Sequence, residues 1–334
     1  MPNSSAPRTA VRILPALALL AFASALFGPV DSARAASCTA TVEDVDFASV
    51  DTLAGTPTDT ASRIAIGCDG ISPQASELLI CIHLGSGGAP TRGGDRTLAG
   101  SDAGGERLAY RLFADPARQI PWGSVEEPAL GSPRSVLLAV HDGSASGDLV
   151  LYARALGGQR TLRAGPYSNA FSGIDTFMTF HEGRDGDCNR REGSVEAMVF
   201  QVRARVDENC LISTQDIHFG QHGLLTKPID ALGGIELSCT PGADFSVAVN
   251  GGLSGSSDPT RRLMRSGPNT LVYGLFLDEA RSRPFGATES SLAHGTGTGA
   301  GILIPVYGRV LPQSIAPGIY SDVVGVTVTY GFPK

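Results

Sequence analysis

The chain has 334 residues, a formal net charge of -7 and 18% charged residues, with 42 glycines and 21 prolines. Its only lysines are Lys227 and Lys334, so no lysine-rich patch exists to hold a phosphate backbone, and nucleic acid is excluded as an expected partner. So much Gly and Pro beside so few charges favours many short strands joined by turns, and the expected class is all-β.

The first residues read as an export signal. Arg8 and Arg12 precede the apolar run Ile13 to Phe27, and Ala33-Arg34-Ala35 has the small-x-small form that a signal peptidase requires. Residues 1–35 are therefore expected to be removed. No later stretch combines the ~20 apolar residues of a membrane span with freedom from charge and glycine. The remaining chain of about 300 residues suits two domains.

Six cysteines, Cys38, Cys68, Cys81, Cys188, Cys210 and Cys239, follow the cleavage site. An even number in an exported chain points to disulfides rather than to thiol chemistry, and no Cys-x-x-Cys pair is present for zinc or redox work.

An internal repeat organises the rest. Cys38-Thr-Ala-Thr-Val-Glu-Asp-Val-Asp-Phe47 matches Cys210-Leu-Ile-Ser-Thr-Gln-Asp-Ile-His-Phe219, with a second cysteine at +30 (Cys68) and +29 (Cys239). Leu108 to Gly123 matches Leu271 to Gly286, identical at nine of sixteen positions. Ala164-Gly-Pro-Tyr167-Ser-Asn169 matches Ala316-Pro-Gly-Ile-Tyr320-Ser-Asp322, each leading into an apolar strand. The order is preserved over more than 100 residues per copy, so the copies are duplicated domains rather than solenoid units. In the second copy, strands are predicted at Phe245 to Asn250, Leu271 to Asp278, Ile302 to Val310 and Val323 to Tyr330, and their spacing by turns suggests a sandwich. Equivalent positions make Cys38–Cys68 and Cys210–Cys239 the simplest pairs, with Cys81–Cys188 following by elimination.

Between the copies lies Ser194 to Val206. Met198, Phe200, Val202, Ala204 and Val206 share one face of an extended strand, with Gln201, Arg203 and Arg205 on the other.

This succession resembles the spore coat protein U domain, the pilin and adhesin module of archaic, Csu-type chaperone-usher pili. Its elements are Cys, Val/Ile-x-Phe, a second Cys about 30 residues on, Leu-x-Tyr-x-Leu-Phe-x-Asp, Pro-Trp/Phe-Gly, and Gly-x-Tyr-Ser-Asp before a valine-rich strand. The similarity is close over residues 210–332 and looser over 38–180. In the first copy Asn169 stands for the Asp, Trp122 for Phe285, and eight extra residues enlarge the Gly-rich loop.

The resemblance implies two tandem immunoglobulin-like β-sandwiches, each lacking its last strand and needing a donor strand from a periplasmic chaperone and later from the next pilin. The expected division is a signal peptide (1–35), an adhesin domain (36–190), a linker carrying a donor strand (191–209) and a pilin domain (210–334). In a free pilin the segment before the first cysteine enters the preceding subunit. Here that subunit is attached, so Met198, Phe200, Val202, Ala204 and Val206 are expected to complete the first domain in cis. Cleavage after Ala35 would leave two residues before Cys38, too few to donate a strand, so the chain is expected to sit first in its fibre. The implied role is a non-enzymatic tip adhesin, passed through an outer-membrane usher to the cell surface, binding a host or abiotic surface and supporting biofilm formation. A spore-coat or extracellular-matrix protein assembled without an usher is the alternative.

Other motifs carry little chemistry. His218 and His222 have a spacing that suits zinc on a helix, but their segment reads as strand and turn. Asp185-Gly-Asp187 lacks the remaining ligands of a calcium loop, and Gly295 to Gly301 lacks the lysine and helix of a phosphate cradle. No nucleophile elbow or Cys-His pair is present, and no cofactor is expected. The Gly-rich stretch Gly85 to Gly105 and the segment Gln119 to Arg134 are the expected binding loops, with Leu98, Ala99 and Leu130 as apolar contacts and Trp122 assigned to the core.

Overall fold

A computed structural model describes residues 35–101 and 105–331; the expected signal peptide lies outside the described residues but for Ala35. Among the described residues no helix is long and apolar enough to cross a membrane. The first copy contributes β1 (Ser37–Val42), β2 (Val45–Val50), β3 (Thr58–Asp69), β4 (Glu77–Leu84), β5 (Arg96–Gly100), β6 (Arg107–Phe113), β7 (Arg134–Ala139), β8 (Ala145–Ala155), β9 (Gly165–Phe171) and β10 (Thr176–Glu182). The inter-copy segment forms β11 (Ser194–Ala197) and β12 (Phe200–Val206). The second copy forms β13 (Cys210–Gln215), β14 (Ile229–Cys239), β15 (Asp244–Val249), β16 (Arg262–Ser266), β17 (Asn269–Phe276), β18 (Ala293–Thr296), β19 (Ile302–Val310) and β20 (Val326–Tyr330).

These strands build two sandwiches. The first pairs a sheet ordered β1-β3-β8-β6-β5-β9-β12-β2 with a smaller one ordered β11-β10-β4-β7; the second pairs β13-β14-β19-β17-β16 with β18-β15-β20. Apolar side chains alternate along the strands, as in β12 and β3, so that one face closes on a core. The first core gathers Ile64, Leu112, Trp122, Leu151 and Met178 among others. The second is smaller and centres on Leu237, Phe245, Tyr273, Leu275 and Phe285.

The duplication holds at the level of single side chains. Trp122 and Phe285 are both fully buried. Asp115 accepts from the backbone N–H of Gln119 and Ile120, and Asp278 from those of Ser282 and Arg283, closing the same turn in each copy. Arg118 and Arg281 occupy that turn at φ of 56° and 58°. Cys38–Cys68 joins β1 to β3 at directly opposed positions, with Cα atoms 4.0 Å apart, and Cys210–Cys239 does the same for β13 and β14 at 4.1 Å. Cys81–Cys188 ties the central strand β4 to the segment after β10 and has no counterpart in the second copy.

Two interior cations were not anticipated. Arg96 is buried and donates to the carbonyls of Leu84, Gly85 and Trp122; Arg262 is buried and donates to those of Asn250, Pro259 and Phe285. Burial lowers both guanidinium pKa values, that of Arg96 to about 10, so both stay charged at neutral pH. Each clamps the loop carrying the buried aromatic to the end of a strand of the smaller sheet, β4 in the first copy and β15 in the second.

The strand expected over Val323 to Tyr330 begins only at Val326. The Gly-rich stretch Gly85 to Gly105 is not a continuous loop, because β5 runs through it, held by β6 and β9.

Replacing Arg96 or Arg262 with Met removes three hydrogen bonds to backbone carbonyls. Each change should lower the stability of its own sandwich by about 3 kcal/mol and leave the other unmoved, as read from separate transitions in chemical denaturation.

Candidate functional site

The site is a slot at the margin of each sandwich, and the duplication shows it in two states. In the first copy its walls are β9 and β2, and β12 lies between them. β12 runs antiparallel to β9, from Phe200 opposite Phe171 to Val206 opposite Gly165. It runs parallel to β2, with Val202 beside Val45 and Val206 beside Val50. The register shifts between Arg203 and Arg205, where Ala48 adopts φ of 53° and donates its N–H to Asp46. This is a β-bulge, which lets the strand turn with the wall.

Burial along β12 follows its period of two. Phe200, Val202, Ala204 and Val206 are 2%, 0%, 5% and 0% exposed, and Met198 just before the strand is 1% exposed, whereas Gln201, Arg203 and Arg205 face solvent. The Phe200 ring stacks on Phe171 with centroids 4.4 Å apart. Burying these five side chains is worth on the order of 10 kcal/mol. Outside, Arg203 meets Asp44 at 3.4 Å and Asp46 at 3.3 Å, and Asp44 also accepts the Gln201 N–H at 2.9 Å.

The second copy presents the same walls without an inserted strand among the described residues. The counterpart of β9 is Ile319 to Val324, which forms no strand and keeps one bridge, Ser321 to Arg265. The counterpart of β2 is the irregular segment Ile217 to Gly220, where Gly220 holds φ of 79° at the position of Ala48. Tyr167, Asn169 and Phe171 are buried in the first copy, while Tyr320, Asp322 and Val324 are only half-buried. Ile217 and Phe219 are likewise half-buried where Val45 and Phe47 are closed off. A slot with apolar walls and unpaired backbone can capture an extended segment by main-chain hydrogen bonding, with alternate side chains entering the core.

The walls of the second slot are already positioned. Asp322 accepts from Tyr273 at 2.6 Å and from the N–H groups of Leu253 and Val323. Desolvation, and then the Asp322 carboxylate, push the Tyr273 phenol far above its ordinary range, so the phenol remains a donor. In the first copy Asn169 makes the corresponding link to Tyr110, at 3.3 Å.

A match to the spore coat protein U domain covers residues 26–172 and 196–327. The chain belongs to the spore coat protein U domain family. The second spore coat U match begins at residue 196, so by sequence β12 leads the second copy, although it is seated in the first. Among solved structures, one from the CsuC-CsuE chaperone-tip adhesion subunit pre-assembly complex of the archaic chaperone-usher Csu pili of Acinetobacter baumannii aligns with a TM-score of 0.53 at 18% identity. It covers 87% of this chain and 99% of that one, a likeness of fold. The CupB6 tip adhesin from Pseudomonas aeruginosa aligns over 88% of this chain and 93% of that one, at 13% identity and a TM-score of 0.36. No curated protein matches.

The other sequence candidates fall outside this site. Leu98 and Leu130, expected to offer apolar binding contacts, are 0% and 6% exposed, because β5 and the turn after Pro128 fold them into the interior; Ala99 is half-buried on β5. His218 and His222 are exposed, and no cluster of three potential metal ligands occurs among the described residues. Asp187 closes a turn by accepting from the Asn189 N–H at 2.9 Å. The Gly295 to Gly301 stretch connects β18 to β19 and bonds back to Cys239 and Ala243.

One titratable group lies beneath the third disulfide. His83 on β4 is fully buried, stacked on Phe177 at 4.3 Å, with Arg191 over the far ring at 4.6 Å from its centroid. Burial, and then the Arg191 charge, press its pKa down to about 4. The ring is therefore neutral in the folded state and protonates in the unfolded chain near the ordinary 6.5.

Two outcomes are expected. Phe200→Asp with Val202→Asp should abolish the unfolding transition of the first sandwich while the second persists, read by calorimetry; two intact transitions would reduce β12 to a tether. Stability due to a neutral His83 is complete above pH 6.5 and lost as pH falls toward 4, by about 3 kcal/mol over that window. Denaturation midpoints of His83→Phe should fall less steeply between pH 7 and pH 4.5 than those of the unchanged chain.

Proposed function

We propose that this chain is the tip adhesin subunit of an archaic chaperone-usher pilus, mediating surface attachment and biofilm formation. The observation that carries the reading is that β12, the leading segment of the second copy, fills the slot of the first, while among the described residues the equivalent slot of the second copy holds no strand. A pilus subunit of this kind offers its leading strand to the preceding subunit. Here that offer is made within the chain, so the first copy needs no outside strand and its loops are free for recognition, whereas the second copy is the connector.

The division that follows is a signal peptide over 1–35, a binding domain over 36–190 completed by the strand within 191–209, and a connecting domain over 210–334. Exported to the periplasm, the second slot is held by a pilus chaperone, transferred at the outer-membrane usher and closed by the N-terminal donor strand of the next pilin. The pilin then links the chain to the cell surface, where the first domain meets a host or abiotic surface. This function is one of binding and assembly, not catalysis. The fold shared with a chaperone–tip adhesion subunit complex supports the reading.

The test is thermal unfolding of the processed chain with and without a peptide copying the N-terminal strand of a neighbouring pilin. The transition of the second sandwich should rise by about 10 °C or more while the first stays in place. A second transition indifferent to every such peptide would sink the proposal.

A further inference from the structure

The Gly-rich stretch Gly295 to Gly301 has no part in either slot, yet its composition is peculiar to the second copy. The five residues before β19 are Gly297-Thr-Gly299-Ala-Gly301, whereas the same connection in the first copy, between β7 and β8, is Val140-His-Asp-Gly143-Ser144 and holds one glycine. Hydrogen bonds fold the stretch onto the turn after Cys239: the Gly297 N–H donates to the Ala243 carbonyl at 2.8 Å, the Gly299 N–H to that of Cys239 at 2.9 Å, and the Gly242 N–H to that of Gly297 at 2.9 Å. Gly299 is buried and holds φ of 79°. A methyl group on it would overlap the backbone carbonyl of Arg160, which belongs to the first sandwich. The lack of a side chain at residue 299 lets backbones of the two sandwiches meet there.

Arg160 is held just as firmly. It lies in the turn from β8 to β9, where Gln159 exchanges hydrogen bonds with both backbone groups of Ala109, at 2.7 and 3.1 Å. A methyl group on Gly157 in the same turn would overlap the carbonyl of Gly55, so the turn also rests on the loop after β2. That loop begins at Asp51, which accepts from the N–H groups of Leu53 and Ala54 on one carboxylate oxygen and from the Asn209 side-chain amide on the other, at 2.9 Å. Asn209 belongs to the three-residue link 207–209 between β12 and β13. Its side-chain oxygen accepts from the Cys210 N–H at 2.8 Å, and its own N–H donates to the Thr240 hydroxyl at 3.1 Å. A carboxylate of this kind only accepts, so the amide nitrogen is the atom that faces Asp51. One side chain thus ties the end of β2 in the first sandwich to the turn of the second on which the glycine stretch is folded.

Domains joined in one chain ordinarily move against each other unless a large apolar interface holds them. Among the described residues the two cores share no side chain, so no fused core does this work. We infer that the Gly295 to Gly301 stretch is a docking surface for the β8–β9 turn of the first sandwich, and that together with the Asp51–Asn209 bond it holds the two sandwiches at one angle. A link of three residues spans about 10 Å when extended, and two contacts beside so short a link leave little freedom to hinge. The consequence is mechanical: a pull on the second sandwich passes to the first along a fixed line. Because the docking rests on polar bonds and a backbone approach, it orients the sandwiches and leaves their unfolding transitions separate. The walls of the second slot, 217–220 and 319–324, take no part, so the junction is independent of whether that slot accepts a strand.

The experiment uses the processed chain with nitroxide labels at Arg63→Cys on the first sandwich and Leu232→Cys on the second, both exposed positions, and reads the distance between them by pulsed electron paramagnetic resonance. The otherwise unchanged chain should give one narrow distribution. Gly299→Val, which drives a side chain into the Arg160 carbonyl, and Asn209→Asp, which sets a carboxylate against Asp51, should each broaden it about twofold or more. Gly255→Ala is the control: Gly255 holds φ of 65°, but a methyl group there meets nothing, so the same backbone strain should leave the distribution narrow. Calorimetry checks that each variant keeps both unfolding transitions; if Gly299→Val loses the second, Asn209→Asp, which changes no glycine, decides. A broad distribution in the unchanged chain, a narrow one in a folded junction variant, or equal broadening by Gly255→Ala overturns the docking.

Discussion

Along the margin of a β-sheet the outward N–H and C=O groups need partners, and where that margin also borders the core the side chains behind it need cover. One inserted strand meets both needs at once. In the first copy β12 supplies hydrogen bonds to two walls and closes the core with Phe200, Val202, Ala204 and Val206. In the second copy, where no strand is inserted among the described residues, the walls lack regular structure: Ile319 to Val324 and Ile217 to Gly220 form no strands, though their sequences match β9 and β2. Strand structure at these margins is therefore a consequence of pairing more than of local propensity.

What keeps the second slot shaped is a set of contacts that does not depend on the missing strand. Asp322 fastens its wall to Tyr273, Ser321 bridges Arg265, and the buried Arg262 fixes the loop holding Phe285. Cys210–Cys239 pins β13 to β14 at the opposite margin, shortening the reach of the unfolded chain by a closed loop of about 30 residues, worth on the order of 3 kcal/mol. The first copy repeats every one of these devices with Tyr110, Asn169, Arg96, Trp122 and Cys38–Cys68. It adds a bond of its own, Cys81–Cys188, over the outer face of β4, where His83 is held neutral.

The duplicated architecture and the apolar face of the inter-copy segment were legible in the chain because they are written in local patterns. A repeat identical at nine of sixteen positions across Leu108 to Gly123 declares a shared fold, and alternation from Met198 to Val206 declares a strand buried on one face. Leu98 and Leu130 were misjudged for the complementary reason: short stretches among Gly, Asp and Arg look like loops until distant strands close over them. The buried cations were invisible because Arg96 and Arg262 lie where the copies differ in loop length, and nothing near them in sequence marks an arginine whose partners are carbonyls up to 26 residues away.

Local sequence thus determined that there would be two related sandwiches with strands at set intervals, since periodicity and turn residues act over a few positions. That β12 would complete the first sandwich was expected from the resemblance, but its seat between β9 and β2, and its register against each, were decided only by tertiary structure. By its place in the family pattern that strand leads the second copy, and its apolar face would suit either slot. Its seat between β9 and β2 is made by backbone pairing to both walls and by burial of Phe200, Val202, Ala204 and Val206, with Arg203 meeting Asp44 and Asp46 outside, contacts about 157 residues apart in the chain that exist only once the first sandwich has formed.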